Sequence, residues 1–348
     1  MYLWRFCIHH RYEINRKCRT ICDISYRYRP NTIGATKAEI ATSSTLYVIG
    51  GLYGSLYSLD AILDMAESEK ENPQLIFNGD FNFFNCKEDD FIAVNNTVKL
   101  FTATKGNIED VISKSKPDLF DCGCDYPSSV STDYITRSNK IAERLYSTAQ
   151  TNSQSEDVLQ FLRELPMFRR IEMSSGHIIG ILHGDAHNLS GWNFSYENLI
   201  TTNIDDPSSS SPSSSSSSYL PLKWLDEAKC DVFACTHTCL PVMIDYNNSS
   251  KAIVNNGSAG IPNFKGESFG VITRISEDVE TVPSWSLYST IVSNCIRIDA
   301  LAVRYNHKGF LNKQFLVNWP EGSPGYINYY DRIRFGTDIN IRDSKRSS

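Results

Sequence analysis

The sequence predicts an α/β protein organised as one large domain. Short apolar runs that stop at Gly, Asn or Asp alternate with stretches whose apolar residues recur at helical spacing. A chain of 348 residues also buries enough surface to fold without disulfide staples. Polar residues gather where each buried strand stops, the edge of an α/β sheet at which ligands bind.

The elements follow in order. The first thirty residues carry seven basic side chains against Glu13 and Asp23, a local +5. Residues 1–44 therefore read as a basic arm packed on the domain, with an organellar import segment as the alternative. Thr45 to Ile49 is a β-branched and aromatic strand entering the Gly50-Gly51 turn, and Leu56, Leu59, Ile62, Leu63 and Ala66 follow at helical spacing. Further strands run from Gln74 to Phe77, Thr102 to Lys105, Ile178 to Leu182, Asp231 to Cys235 and Ala252 to Val254. Helices are expected over Thr132 to Ala149 and Ser155 to Leu165, joined by a polar loop spanning Ser147 to Glu156. The Ser-rich run 207–218 buries no apolar surface and reads as a disordered insertion. From about residue 276 an extension begins: strands within Tyr288 to Tyr305, a helix from Gly309 to Asn318 ended by Trp319-Pro320, and an aromatic stretch to Phe335. The domain thus covers 45–335, and residues 336–348 read as a frayed tail.

Composition excludes several classes. With 40 acidic and 34 basic residues the net charge is −6, which argues against nucleic acid held by an overall positive field. The longest charge-free run, Ile40 to Leu59, holds too many Ser, Thr and Gly residues to be a bilayer helix, so no membrane partner is expected. Ten Cys diluted over this length read as reduced thiols in a cytoplasmic setting.

The strand ends carry the chemistry. They read Gly50-Gly51-Leu52-Tyr53, Asn78-Gly79-Asp80, Gly106-Asn107-Ile108-Glu109, His183-Gly184-Asp185 and Thr236-His237-Thr238-Cys239, followed by Asn255-Asn256-Gly257-Ser258. These strand ends gather carboxylates, amides and imidazoles, donor types suited to a divalent Zn, Mn or Fe ion. Cys122-Gly123-Cys124 lacks zinc-site spacing and reads as structural thiols in a tight turn, with a place on the site rim as the alternative. Arg137 and Asn139, on the helix that follows, would reach a phosphate if that helix capped the cleft.

This succession resembles the calcineurin-like metallophosphoesterases across about residues 45 to 275. The resemblance implies a four-layer α/β/β/α sandwich with metal at the strand ends. It also implies departures. The family's first Asp and His fall on Gly51 and Tyr53, the proton-donor His on Ile108, and the last His on Cys239. A second ion is therefore doubtful, although Tyr53 and Cys239 with Asp80 remain a conceivable altered first site favouring ferric iron or zinc. The site at Asp80, Asn107, His183 and His237 keeps every ligand. Glu109, Asp185 and His187 are the candidates to replace the missing acid. The resulting expectation is a divergent hydrolase of phosphoesters or phosphoanhydrides, acting on a phosphorylated small molecule or protein with one ion. The alternative is a catalytically silent module of the same fold that binds a phosphorylated partner or serves as a scaffold.

Overall fold

A computed structural model describes residues 24–115, 120–151, 155–201, 220–246 and 250–347. The Ser-rich run and most of the basic arm lie outside the described residues.

Two sheets face each other. The first has six strands in the order β11-β12-β10-β2-β3-β4, with β2 Thr45–Ile49, β3 Gln74–Asn78, β4 Thr102–Thr104, β10 Gly270–Ser276, β11 Ser286–Val292 and β12 Ile296–Val303. The second has seven, β1-β5-β6-β7-β9-β8-β13. Its members are β1 Glu39–Ile40, β5 Phe168–Glu172, β6 Ile178–Leu182, β7 Val232–Cys235, β8 Pro241–Tyr246, β9 Lys251–Asn256 and β13 Lys345–Ser347. Strands β2, β3 and β4 run parallel in one sheet, as do β6, β7 and β9 in the other.

The two-residue period of the strands sorts their side chains into layers. Leu46 and Val48 of β2 join Ile179 and Ile181 of β6 and Val232 and Ala234 of β7 in a core between the sheets. Their neighbours Tyr47 and Ile49 turn outward to meet Leu59, Ile62, Ile141 and Leu145 from helices. Leu182, Phe233 and Ile253 turn the other way, onto Ile33, Leu199 and Leu225. The result is the four-layer α/β/β/α sandwich.

Local chemistry accounts for the helix that follows β2. Ser55 caps Leu56–Glu67 by accepting from the Ser58 N–H at 3.1 Å, and Leu59, Ile62 and Ala66 are buried on one face. Two expectations are corrected. The helix Thr132–Gln150 runs four residues into the stretch read as a loop, and the next helix already begins at Ser155. Ser147 and Thr148 hydroxyls donate back to the carbonyls four residues earlier, so polarity there reflects a solvent face. The tail is not frayed: Lys345–Ser347 pairs parallel to Met243–Asp245 as an edge strand. Its polar composition suits an edge and carries no strand signal. The helix expected from Gly309 to Asn318 is a helical stretch, His307–Asn318, with a π turn at Phe310–Phe315.

Candidate metal centre

Strands β2, β3, β4, β6 and β7 all end on the same edge of the sandwich, and their turns are tied to one another. The Gly51 N–H donates to Gly79 O at 3.1 Å, and Tyr53 N–H to Asp80 O at 3.0 Å. Gly79 has φ +73, and a Cβ there would meet the Gly106 backbone and His183 Nδ1 at 2.6 Å. Only glycine lets these turns close on His183. Among the described residues eight non-glycine positions have positive φ. Four of them are Tyr53, Asp80, His237 and Cys239, so half of this backbone strain sits at one edge of the fold.

Asp80, His183 and His237 are buried, with one donor atom from each lying within 4.8 Å of the others. His183 Nε2 is the centre of the group. It lies 3.1 Å from Asn107 Oδ1, 3.2 Å from His237 Nδ1 and 3.5 Å from Asp80 Oδ1. The orientations are set from outside. His183 Nδ1–H donates to Asn78 O at 2.9 Å, and Asn107 Nδ2 donates to Cys122 O at 2.8 Å. These bonds turn the Nε2 lone pair and the amide oxygen inward, toward a carboxylate. Lone pairs facing each other in a buried space call for a positive charge between them, either a proton on His183 or a metal ion. Metal bonds of about 2.0–2.2 Å put neighbouring donors of one ion about 3–3.6 Å apart, so these residues fit a divalent ion.

The electrostatics agree. Burial works to raise the Asp80 carboxyl, but the charge and hydrogen bond of His183 outweigh it and hold Asp80 below the usual carboxylate range. Burial works to lower His183, and Asp80 overcomes it to raise the imidazole. Burial and then repulsion from His183 depress His237 to about 3. The carboxylate of Asp80 thus stays charged at the centre of the cluster while the His237 ring stays neutral.

The remaining sequence candidates stand elsewhere around this group. Glu109 is buried beneath Asp80: its carboxylate accepts from the N–H groups of Asp80 (2.7 Å), Gly106 (3.1 Å) and Asn82 (3.2 Å). Burial, then the Asp80 charge, push it up to about 7. Asp185 is buried and accepts from the backbone N–H groups of His187, Asn188 and Asn193 and from Asn193 Nδ2, closing its own loop. His187 packs its ring on Trp224, with centroids 4.9 Å apart, and lines a cleft of about 750 Å³. Arg27, Arg29, Tyr126, Trp192 and Asn193 also line that cleft. Trp192 connects it to the cluster, standing edge-on to His237 with centroids 5.8 Å apart. Tyr53 and Cys239 meet each other, Oη to Sγ at 2.6 Å, beside Phe83 and Phe84. Burial pushes both above their ordinary values. Arg137 and Asn139 are engaged elsewhere, Arg137 on Asn328 at 2.5 Å and Asn139 on the Cys122 N–H at 3.0 Å.

Two participants, Asn78 and Arg332, were not read as site residues from the sequence, and a third, Cys124, was read there only as an alternative. Asn78 bridges the sheets, donating to Leu182 O at 2.7 Å and accepting from Thr104 Oγ1 at 2.8 Å. A carboxamide at the end of an apolar strand is the signal that marks it, since a buried amide needs partners. Cys124 Sγ lies 3.4 Å from His237 Nε2. Arg332, from the helix Pro324–Phe335, donates to Cys239 O at 2.6 Å and so ties the C-terminal extension to the site.

Comparison with known proteins yields likeness in structure only. No family model and no curated protein sequence matches the chain. A metallophosphoesterase from Sphaerobacter thermophilus superposes with a TM-score of 0.52 at 14% identity, over 84% of this chain and 99% of its own. A hypothetical protein from Pyrococcus horikoshii superposes with a TM-score of 0.50 at 12% identity, over 86% of this chain and 100% of its own. Two facing sheets, helices on both outer faces and a buried Asp-His-His cluster at the strand ends thus belong to a chain with the metallophosphoesterase fold.

Proposed function

We propose that the protein is a metal-dependent hydrolase of phosphoesters or phosphoanhydrides that works with a single ion held by Asp80, Asn107, His183 and His237. The observation that carries this reading is the convergence of donor atoms on His183 Nε2, at 3.1 to 3.5 Å, with outer hydrogen bonds that turn the lone pairs inward. A divalent ion bound there supplies Lewis-acid polarisation of a phosphoryl oxygen.

The chain's own residues limit what such a site does well. An ideal Cβ on Gly51 would lie in van der Waals contact with Tyr53 Cζ at 3.4 Å, which sets the phenol ring beside position 51. With Cys239 as its hydrogen-bond partner, the ring closes the region where the resemblance expects a first ion. A second ion to share the developing charge is then missing, and Ile108 offers no proton. That combination favours substrates with good leaving groups, such as anhydrides or activated esters of a phosphorylated small molecule or protein. Glu109 and Asp185 give their oxygens to backbone N–H groups and support turns, which leaves His187 on the cleft wall as the best-situated acid.

The closed Tyr53–Cys239 region also favours a second reading, a silent module that binds a phosphorylated partner. A panel of phosphoesters and phosphoanhydrides, assayed with added Zn, Mn or Fe(II), separates the two. Turnover that falls at least about 100-fold in Asp80→Ala and His237→Ala supports the hydrolase. Metal binding without turnover on any member supports the silent module.

Among the described residues no helix is long and apolar enough to cross a membrane. In this reading residues 45–335 form the body of the hydrolase domain, and β1 from the basic arm 1–44 and β13 from the tail join its second sheet.

A further inference from the structure

We infer that the Cys122-Gly123-Cys124 turn orients two of the metal-holding side chains, Asn107 and His237, and that Cys124 is a positioning residue for His237. The inference rests on the single-ion reading above and adds to it a turn, Cys122 to Cys124, that the reading does not use.

Asn107 comes first. Its carboxamide can point either its oxygen or its nitrogen at the cluster. The Cys122 carbonyl decides, because it accepts from Nδ2 at 2.8 Å and would repel Oδ1 in the flipped state. The oxygen is thereby left facing His183 Nε2 at 3.1 Å.

His237 presents the complementary choice. Its ring spans from the cluster to the turn, with Nδ1 3.2 Å from His183 Nε2 and Nε2 3.4 Å from Cys124 Sγ. A neutral imidazole carries one proton, so an acceptor at Nε2 leaves the Nδ1 lone pair for the cluster. The Cys124 sulfur, buried against Nε2, is that acceptor, and the Ser190 carbonyl also engages the ring.

The turn is itself held rigidly. The Cys122 N–H donates to Asn139 Oδ1 at 3.0 Å, from the helix Thr132–Gln150, and the Gly123 N–H donates to Asp121 Oδ1 at 2.8 Å. Gly123 adopts φ +72, and a Cβ there would lie 2.8 Å from Tyr26 Oη. One short turn therefore reaches two ligands, Asn107 through the Cys122 carbonyl and His237 through the Cys124 sulfur, with both thiols free.

The test is a calorimetric titration of Zn²⁺ into the metal-stripped full chain, for the native protein, Cys124→Ala, Cys124→Ser and Cys230→Ala. Cys124→Ala is expected to bind about 10-fold more weakly or worse. Cys124→Ser, which restores an acceptor, should recover most of that loss. Cys230→Ala removes an equally buried thiol from the second core and should bind like the native chain. Native affinity in Cys124→Ala overturns the inference, as does an equal loss in Cys230→Ala. A native chain that binds no Zn²⁺ overturns the single-ion reading and the inference with it. The ¹⁵N resonances of the metal-free native protein give a check that needs no variant. His237 is expected to carry its proton on Nε2, and a proton on Nδ1 contradicts the proposal.

Discussion

The hydroxyl of Tyr53 and the thiol of Cys239 form a buried contact of 2.6 Å across 186 residues of sequence. Each satisfies the other, and Phe83, Phe84 and Tyr329 pack around the pair with edge or tilted rings. The contact makes the pair a packing unit between two strand-end turns. Cys239→Ala should accordingly leave the metal content unchanged by elemental analysis. The bolder form of the prediction runs in reverse. The triple change Gly51→Asp, Tyr53→His and Cys239→His should raise the metal content from about one ion per chain to about two. An unchanged content in a folded triple variant would show that more than these three positions closes the first site.

Glu109 receives the backbone N–H groups of Asp80, Asn82 and Gly106 and the Asn82 amide, all buried. Glu109→Ala strands these donors without water. Urea denaturation should report a loss of about 3 kcal/mol or more. A loss below about 1 kcal/mol would mean that the turn at Asp80, with its φ of 51, holds its own conformation.

Asn78 joins β3 of one sheet to β6 of the other through its side chain, and its backbone carbonyl anchors His183. Asn78→Ala removes the side-chain bridge and keeps the carbonyl. The account expects roughly 2 kcal/mol of lost stability with metal binding weakened and still measurable. Complete loss of metal binding in a folded Asn78→Ala chain would make the sheet-to-sheet bridge, and not the carbonyl, the support of His183.

Much of this architecture is legible in the sequence because its signals are local. Ile178 to Leu182 is apolar throughout and bounded by polar residues, and it forms β6 with those bounds. The turns at Asp80, Asn107, His183 and His237 each follow such a strand, so their shared edge follows from strand direction alone. What the sequence hides is long-range. Nothing near Cys124 announces that its sulfur will stand beside His237, 113 residues later. Nothing near Arg332 announces the Cys239 carbonyl. The edge strand Lys345–Ser347 is invisible for another reason: a polar strand at a sheet edge has no alternation to read. Asp185 misleads for a third, since a carboxylate after a histidine at a strand end reads the same whether it meets substrate or, as here, the N–H groups of its own loop.

The central claim is that one ion, and one only, is held by Asp80, Asn107, His183 and His237. Elemental analysis of the purified chain after loading with Zn, Mn or Fe(II) and removal of excess tests it most directly. The account predicts about one transition-metal ion per chain, lost in both Asp80→Ala and His237→Ala while the fold is retained. A metal-free native chain contradicts it, and so does a chain with two ions of which one disappears in Cys239→Ala.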